Sequence, residues 1–360
     1  MIMLNVTQSY LPSKKKYKSY VDDIYSSCHL TNSGPLQKEL ERRLESYLGV
    51  KHVICVANGS VALQVAYKAL ELRGKVITTP FSFAATSSTL VWEGLEPVYC
   101  DIDENTLNLD PNLLESLIDD YTSCILPVHV FGNPCDVENI GKIASEHNLK
   151  VIYDAAHAFS VNYLNKSLFS YGDISTVSFH ATKIFHTIEG GAIITQCDEI
   201  AAKVKRLINF GLEDGKLVDS LGTNAKMNEF EAAMGLCVLD EIEHIKAARR
   251  ELLLAYNTFL PKYIGRQALI SGASELLSYM PVIFKDEKEL ISVKDALEKN
   301  DIYPRRYFYP SLDTIYHTCS MNVQSKSRCV SKRILCLPFY AGMTVEQVKM
   351  ISAIVSGVLE

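Results

Sequence analysis

Lys183 stands in a loop between two apolar runs, TVSFH (176–180) and AIIT (192–195). Ser178, His180 and Thr182 flank it, and a Glu-Gly-Gly turn follows at 189–191. Apolar runs closed by turn residues read as strands of a packed sheet. A lysine held between two such strands is partly removed from water. It then gives up its proton more readily and can attack a carbonyl carbon. The plainer reading is a surface lysine in a loop, and this segment alone leaves both open.

Three further constellations bear on the choice. Asn58-Gly59-Ser60 lies between the apolar run VICVA and a helical stretch. A glycine and a hydroxyl residue at a helix start present free N–H groups and the positive end of the helix dipole to an anion, most often a phosphate. The same residues would also serve as an ordinary helix cap. Asp154 closes the apolar run of VIYDAAHAF, at the carboxyl end of a strand, where open α/β sheets bind ligands. A carboxylate there needs a cation or hydrogen bonds, and a protonated pyridine nitrogen would serve. His157, three residues on, could line the same crevice; the alternatives are a strand-end cap for Asp154 and a packed histidine for His157. Phe83 in PFSFAAT falls where a strand passes into a helix and could lie flat on a planar heterocycle, or simply pack in the core. A phosphate cradle, an aromatic face, a carboxylate for a ring nitrogen and a nucleophilic lysine are together the parts needed to hold pyridoxal 5'-phosphate.

The elements that must position these residues follow a strand–helix rhythm from residue 51. Strands are expected at 53–57, 76–79, 97–102, 124–130 and through KVIYDAA, with helices at 60–71, 84–92, 111–118 and 137–146. Short apolar strands separated by helices make βαβ units, and so an α/β fold with a mainly parallel sheet covered on both faces. A polar arm with a basic patch, Lys14–Lys16, precedes a helix running from the turn Asn32-Ser33-Gly34-Pro35 to about Leu48. After residue 198 come a helix over 199–209, a polar loop over 211–222 and a long amphipathic helix over 228–260. The tail (strands 279–284 and 334–339, helix 288–298, closing helix from 345) reads as a smaller α+β domain. The division expected is 1–245 for the large ligand-binding domain with its arm, and 246–360 for the small one.

With 360 residues, 48% of them hydrophobic and 22% charged, the chain can bury a large core. A net charge of −6 argues against nucleic acid or an anionic membrane as the main partner. No apolar run is long enough to span a bilayer, and the first twenty residues lack the core of a signal peptide. Ten cysteines lie scattered without CxxC pairs, several inside apolar strands; this is the pattern of reduced thiols in a cytoplasmic protein, with no metal site expected.

Nearly the whole chain resembles the DegT/StrS-type sugar aminotransferases, pyridoxal-phosphate enzymes of fold type I. The resemblance rests on LTNSGP, VANGSVAL, TTPFSFAAT, LPVHVFGNPCDVENI, VIYDAAHAFS, SFHATK followed by EGGA, GTNAKMNEFEAAMGL and RRYFYPSL. It implies a large domain with a mainly parallel seven-stranded sheet and a smaller C-terminal domain. It further implies Lys183 as the residue that bonds the cofactor aldehyde, Asp154 as partner of the pyridine nitrogen, Gly59, Ser60 and Ser178 as phosphate contacts, and Phe83 as the stacking residue. Asn224, in GTNAKM, matches a residue that reaches across a dimer interface to the partner's phosphate, so a homodimer with shared active sites is implied. Asn32, Gly34, Pro35, Arg305 and Tyr307 are expected around the sugar nucleotide, with Arg306 an alternative to Arg305 for a phosphate. Ser60 stands where the family often has threonine, and Lys226 where it often has arginine. His157 resembles members that aminate C4. The implied reaction moves the amino group of L-glutamate to a 4-keto-6-deoxy nucleotide sugar, giving dTDP-4-amino-4,6-dideoxyglucose for O-antigen or other surface polysaccharide. A 3-keto aminotransferase and a pyridoxal-phosphate sugar dehydratase on the same fold remain the alternatives.

Overall fold

The computed structural model describes residues 3–213, 217–316 and 325–360; part of the expected polar loop at 211–222 lies outside them. The strand–helix rhythm builds one seven-stranded sheet in the order 52–56, 191–195, 174–178, 150–154, 122–126, 75–78, 96–99. Only Gly191–Thr195 runs against the rest, antiparallel to both His52–Val56 and Ile174–Ser178. The other pairings are parallel. The sheet is therefore mainly parallel, as expected, and the two strands around Lys183 sit side by side near one edge of it. Both faces are buried. Val53, Cys55, Val177 and Ile194 face one apolar core, while Ile54, Val56, Ile152 and Ile193 face the other. That alternation is the period of two that a strand buried on both sides imposes.

Several expected elements are shorter or broken. The strand expected over 124–130 ends at Leu126, where Pro127 has no N–H to continue the ladder, and a single 3₁₀ turn follows over Val130–Gly132. The stretch 111–118 forms two 3₁₀ turns, Pro111–Leu113 and Glu115–Leu117, in place of one helix. The run 228–260 is two helices, Glu229–Asp240 and Ile242–Phe259, because the backbone of Glu241 leaves the helical region at φ −106° and ψ 6°. The first of these begins with a capping box between Asn228 and Glu231. The basic patch Lys14–Lys16 opens a helix, Lys14–Ser27, absent from the sequence expectation. Its apolar residues Tyr17, Tyr20 and Ile24 recur every three or four positions and face the core, while Lys16 pairs with Asp240.

The C-terminal unit is a two-stranded antiparallel sheet, Met280–Ile283 against Ile334–Leu337, packed under the helices Ile242–Phe259, Glu287–Glu298 and Val345–Leu359. The N-terminal segment reaches it. Leu4 and Asn5 pair in parallel with Ile302 and Tyr303, and the Phe339 N–H donates to the Val6 carbonyl at 3.1 Å. Farther along the same arm, the Tyr10 carbonyl meets His186 Nε2 at 2.7 Å, three residues after Lys183. No helix among the described residues is long and apolar enough to cross a membrane.

Candidate active site

A cavity of about 280 Å³ opens where the carboxyl ends of the central strands meet the first turn of a helix and the C-terminal unit. Gly59, Ser60, Phe83, Asp154, His157, Ser178, Lys183, Arg305 and Tyr307 all line it. Residues from five separated stretches thus converge on one space. Convergence is the expected consequence of a parallel sheet, whose strands end together.

Asp154 is the last residue of its strand and is 7% exposed. Its Oδ2 accepts from the Thr86 hydroxyl at 2.8 Å and its Oδ1 from the Ala156 N–H at 3.2 Å. Burial raises its pKa, against the lowering effect of those hydrogen bonds and of Lys183. Lys183 responds in the opposite sense: burial brings its pKa down to about 8, with Asp154 opposing. Its Nζ lies 3.5 Å from the Tyr279 hydroxyl. The fold thus gives this lysine a readily available neutral form, which a nucleophile toward a carbonyl requires.

Gly59 begins the helix Gly59–Ala69, capped by Asn58, whose side chain accepts from the Val61 N–H at 2.9 Å. The cap and the cradle coexist. Capping occupies one first-turn N–H, and Gly59 and Ser60 still face the cavity with the dipole behind them. A Cβ on Gly59 would come within 3.0 Å of Ser178 Cβ, so glycine is what lets the helix start lie against the strand end. Ser178 Oγ is 3.4 Å from the His180 N–H, and His180 in turn meets Thr182 Oγ1 at 2.8 Å. Phe83, 54% exposed, caps the helix Ala84–Trp92 and stands at the rim.

His157 is buried in an aromatic stack, its ring nearly parallel to those of Phe131 and Phe308 at 6.1 and 5.9 Å. Burial, with Lys183 nearby, depresses its pKa far enough that the ring stays neutral. Its Nδ1 is buried and has no hydrogen-bond partner among the described residues. A buried polar atom facing a cavity in this way invites a ligand donor or acceptor.

Residues 13–356 match the DegT/DnrJ/EryC1/StrS aminotransferase family. The chain belongs to that family. It is 38% identical over 349 residues to the dTDP-4-amino-4,6-dideoxy-D-glucose transaminase of Shigella dysenteriae, with 94% of each chain covered. With the Escherichia coli protein of the same name it shares 36% over 367 residues, 98% of each chain. Its fold matches the crystal structure of DesI in the presence of its TDP-sugar product, with a TM-score of 0.92 at 30% identity. That match covers 98% of this chain and 92% of the other.

Within this aminotransferase the two candidate arginines separate. Arg306 is tied to Glu287 at 2.7 Å and lies on Tyr309. Arg305 has no acidic partner among the described residues and sits over the Tyr307 ring at 4.7 Å, on the cavity wall. Asn32, Gly34 and Pro35 lie away from the cavity of their own chain. Gly34 and Pro35 open the helix Pro35–Leu48 against Glu229, whose two oxygens accept the N–H groups of Leu36 and Gln37 at 2.8 and 2.9 Å. A Cβ at Gly34 would fall 2.4 Å from the Glu229 carboxyl carbon, so this junction requires glycine. Asn224 is exposed and bridges to Asn209, also outside the cavity of its own chain. Lys226 donates to Asn209 Oδ1 at 2.8 Å and lies over Phe210.

Thr86, Tyr279, Phe308 and Phe131 escaped the sequence reading. Thr86 carried a signal: a hydroxyl three residues after Phe83, in the first turn of the following helix, points back to the strand ends. Tyr279 carried none, since it reads as the start of an apolar strand. Among the described residues no group of three or more His, Cys, Asp or Glu could hold a metal ion.

Proposed function

We propose that this aminotransferase uses pyridoxal 5'-phosphate to move the amino group of L-glutamate to C4 of a 4-keto-6-deoxy nucleotide sugar. The product would be dTDP-4-amino-4,6-dideoxyglucose, for O-antigen or a related surface polysaccharide made in the cytoplasm. The observation that carries the reading is the pairing, across one cavity, of a lysine with a pKa near 8 and a buried carboxylate. The names of the Shigella dysenteriae and Escherichia coli relatives supply the sugar.

The residues present fit that cofactor. Asp154 is buried with two neutral donors on it and leaves room for a cation such as a protonated ring nitrogen. The Gly59–Ser60 helix start and Ser178 fit a phosphate, and Phe83 offers a ring face at the rim. When bound, the cofactor supplies an aldehyde carbon for amine exchange and a ring that takes up the electron pair left on the substrate carbon. Lys183 would hold the cofactor through its amine, and the neutral form that burial makes available would let the same amine carry a proton to and from the substrate carbon. Asp154 would hold a protonated ring nitrogen. His157 stays neutral, so it can hydrogen-bond without adding charge. Arg305 and Tyr307 are assigned to the sugar nucleotide, Arg305 as a wall cation with no acidic partner among the described residues. The active unit in this reading is a homodimer. Asn224 reaches the partner's phosphate site, and Asn32, Gly34 and Pro35, remote from their own cavity, contribute to the neighbouring one. Residues 1–245 form the cofactor domain and 246–360 the small one.

The test is direct. Purified protein mixed with pyridoxal phosphate gains a visible absorption band, and it transfers nitrogen from glutamate to a 4-keto sugar nucleotide in preference to a 3-keto one. Lys183→Ala loses both. A colourless protein, or product formed without glutamate, overturns the reading; the second outcome would mark a dehydratase.

A further inference from the structure

Arg249 is 3% exposed, on the helix Ile242–Phe259, and has no acidic partner among the described residues. Its Nη1 donates toward three carbonyls: Leu277 at 3.0 Å, Ser278 at 3.2 Å and Phe339 at 3.1 Å. Its guanidinium lies 5.4 Å from the centroid of the Phe339 ring, and its Nε is buried without a partner. Burying a guanidinium with no counter-charge is costly, and an apolar side chain would fill the same space without that cost. What the arginine provides is geometry. It ties down the two residues immediately before Tyr279 and joins them to the end of the strand Ile334–Leu337.

Tyr279 is where that segment enters the cavity. Its ring packs on His157 at 4.7 Å, on Tyr307 at 5.4 Å and on Phe131 at 5.8 Å, so it cannot turn freely. The neighbouring Ser278 hydroxyl donates to the His157 carbonyl at 2.5 Å, pinning the segment to the opposite wall. The Tyr279 hydroxyl that results is the one protein group within hydrogen-bond reach of Lys183 Nζ among the described residues, at 3.5 Å. Burial holds the phenol far above its ordinary pKa, so it is neutral whenever the lysine titrates.

We propose that Tyr279 positions the free amine of Lys183 by accepting one of its N–H bonds, and that Arg249 is a positioning residue acting through Tyr279. With one N–H turned to Tyr279, the amine presents its lone pair to the space between Asp154 and the helix start at Gly59. The proposal rests on the nucleophilic role given to Lys183 above, but its test does not depend on turnover.

The experiment uses the full chain stripped of any cofactor. Lys183 is labelled with trace acetic anhydride across pH 6 to 11, and the labelled peptide is quantified by mass spectrometry. The charged and titratable groups facing Lys183 are Asp154 and His157 from the sheet, His180 and Glu189 from its own loop, and Arg305, Tyr307 and Tyr279 from the C-terminal unit. Tyr279→Phe leaves all the others in place. A protonated amine is the stronger donor, so losing the acceptor favours the neutral form. Tyr279→Phe is expected to lower the labelling midpoint by about half a pH unit and raise the rate at pH 7 about threefold, with the melting temperature unchanged. Arg249→Met is expected to reproduce that shift and Arg249→Lys to reverse part of it. An unchanged midpoint in Tyr279→Phe overturns the proposal. A lower melting temperature in Arg249→Met with the wild-type midpoint overturns the role of Arg249. If the wild-type chain takes up no pyridoxal phosphate, the functional reading fails; the labelling shift still decides this one.

Discussion

Asp154 and Lys183 share one partly dry cavity, and each makes the ionised form of the other more stable, while burial works against both. For Lys183 burial wins, bringing the pKa to about 8, and a linkage prediction follows. The unfolded lysine keeps its proton to about pH 10.4 while the folded one releases it near 8, so in that window the unfolded chain binds more protons and stability rises with pH. In cofactor-free protein Lys183→Met should therefore be more stable than wild type at pH 7, by on the order of 1–2 kcal/mol after allowance for partial exposure. The gain should shrink as pH rises through 8 toward 10. Chemical denaturation at several pH values measures it, and a gain that does not vary with pH contradicts the argument. For Asp154 the decisive neighbour is Thr86. Thr86→Val removes a hydrogen bond to the charged form, so Asp154 should protonate at higher pH. The acid limb of the rate profile should move up by about one unit, with the loss of activity greatest on the acid side.

At the scale of elements, two glycine junctions set positions that side chains alone could not. The helix Gly59–Ala69 lies against Ser178 because there is no Cβ between them. Gly59→Ala needs a shift of a few tenths of an ångström at the helix start, which spoils convergent N–H geometry more than it harms packing. The expected outcome is weaker binding of pyridoxal phosphate, about tenfold, with little change in unfolding midpoint; titration of the visible band reports it. Glu229 plays the opposite part. It closes the N-terminus of Pro35–Leu48 from another helix, using both carboxylate oxygens. Glu229→Ala leaves the buried N–H of Gln37 and the half-buried N–H of Leu36 unpaired and should cost about 2 kcal/mol in denaturant unfolding. The same substitution in a chain where Gly34 is also replaced should cost less than the sum of the two single changes, because the carboxylate and the added Cβ compete for one space.

Across the whole molecule, the N-terminal arm connects parts that are far apart in sequence. Leu4–Asn5 extends the C-terminal unit beside Ile302–Tyr303, and Tyr10 holds the loop after Lys183 through His186 and the Glu229–Asp240 helix end through Glu241. Deleting residues 1–6 removes the strand pairing and the Val6 carbonyl that Phe339 uses, but leaves the Tyr10 contacts. Such a chain should unfold at lower denaturant in its C-terminal unit while its cofactor band is nearly unchanged. A single cooperative transition at the wild-type midpoint would show that the pairing adds nothing.

The sheet, the positions of its strands and the lysine loop were legible because a strand buried on both faces leaves an unbroken apolar run, and turn residues mark its ends. The convergence of Gly59, Phe83, Asp154, Ser178 and Lys183 was also within reach, since parallel strands deliver their carboxyl ends to one edge. The strand lost after Leu126 was written locally, in Pro127. The helix Lys14–Ser27 was hidden by its own charge: a basic start outweighs three apolar residues until a partner such as Asp240 is in place. Tyr279, Arg249 and Glu229 act through groups 28 to 193 positions away in sequence. No window of sequence contains both halves of such a contact, so side-chain type and periodicity determined where each element lies, and only folding decided which atoms meet.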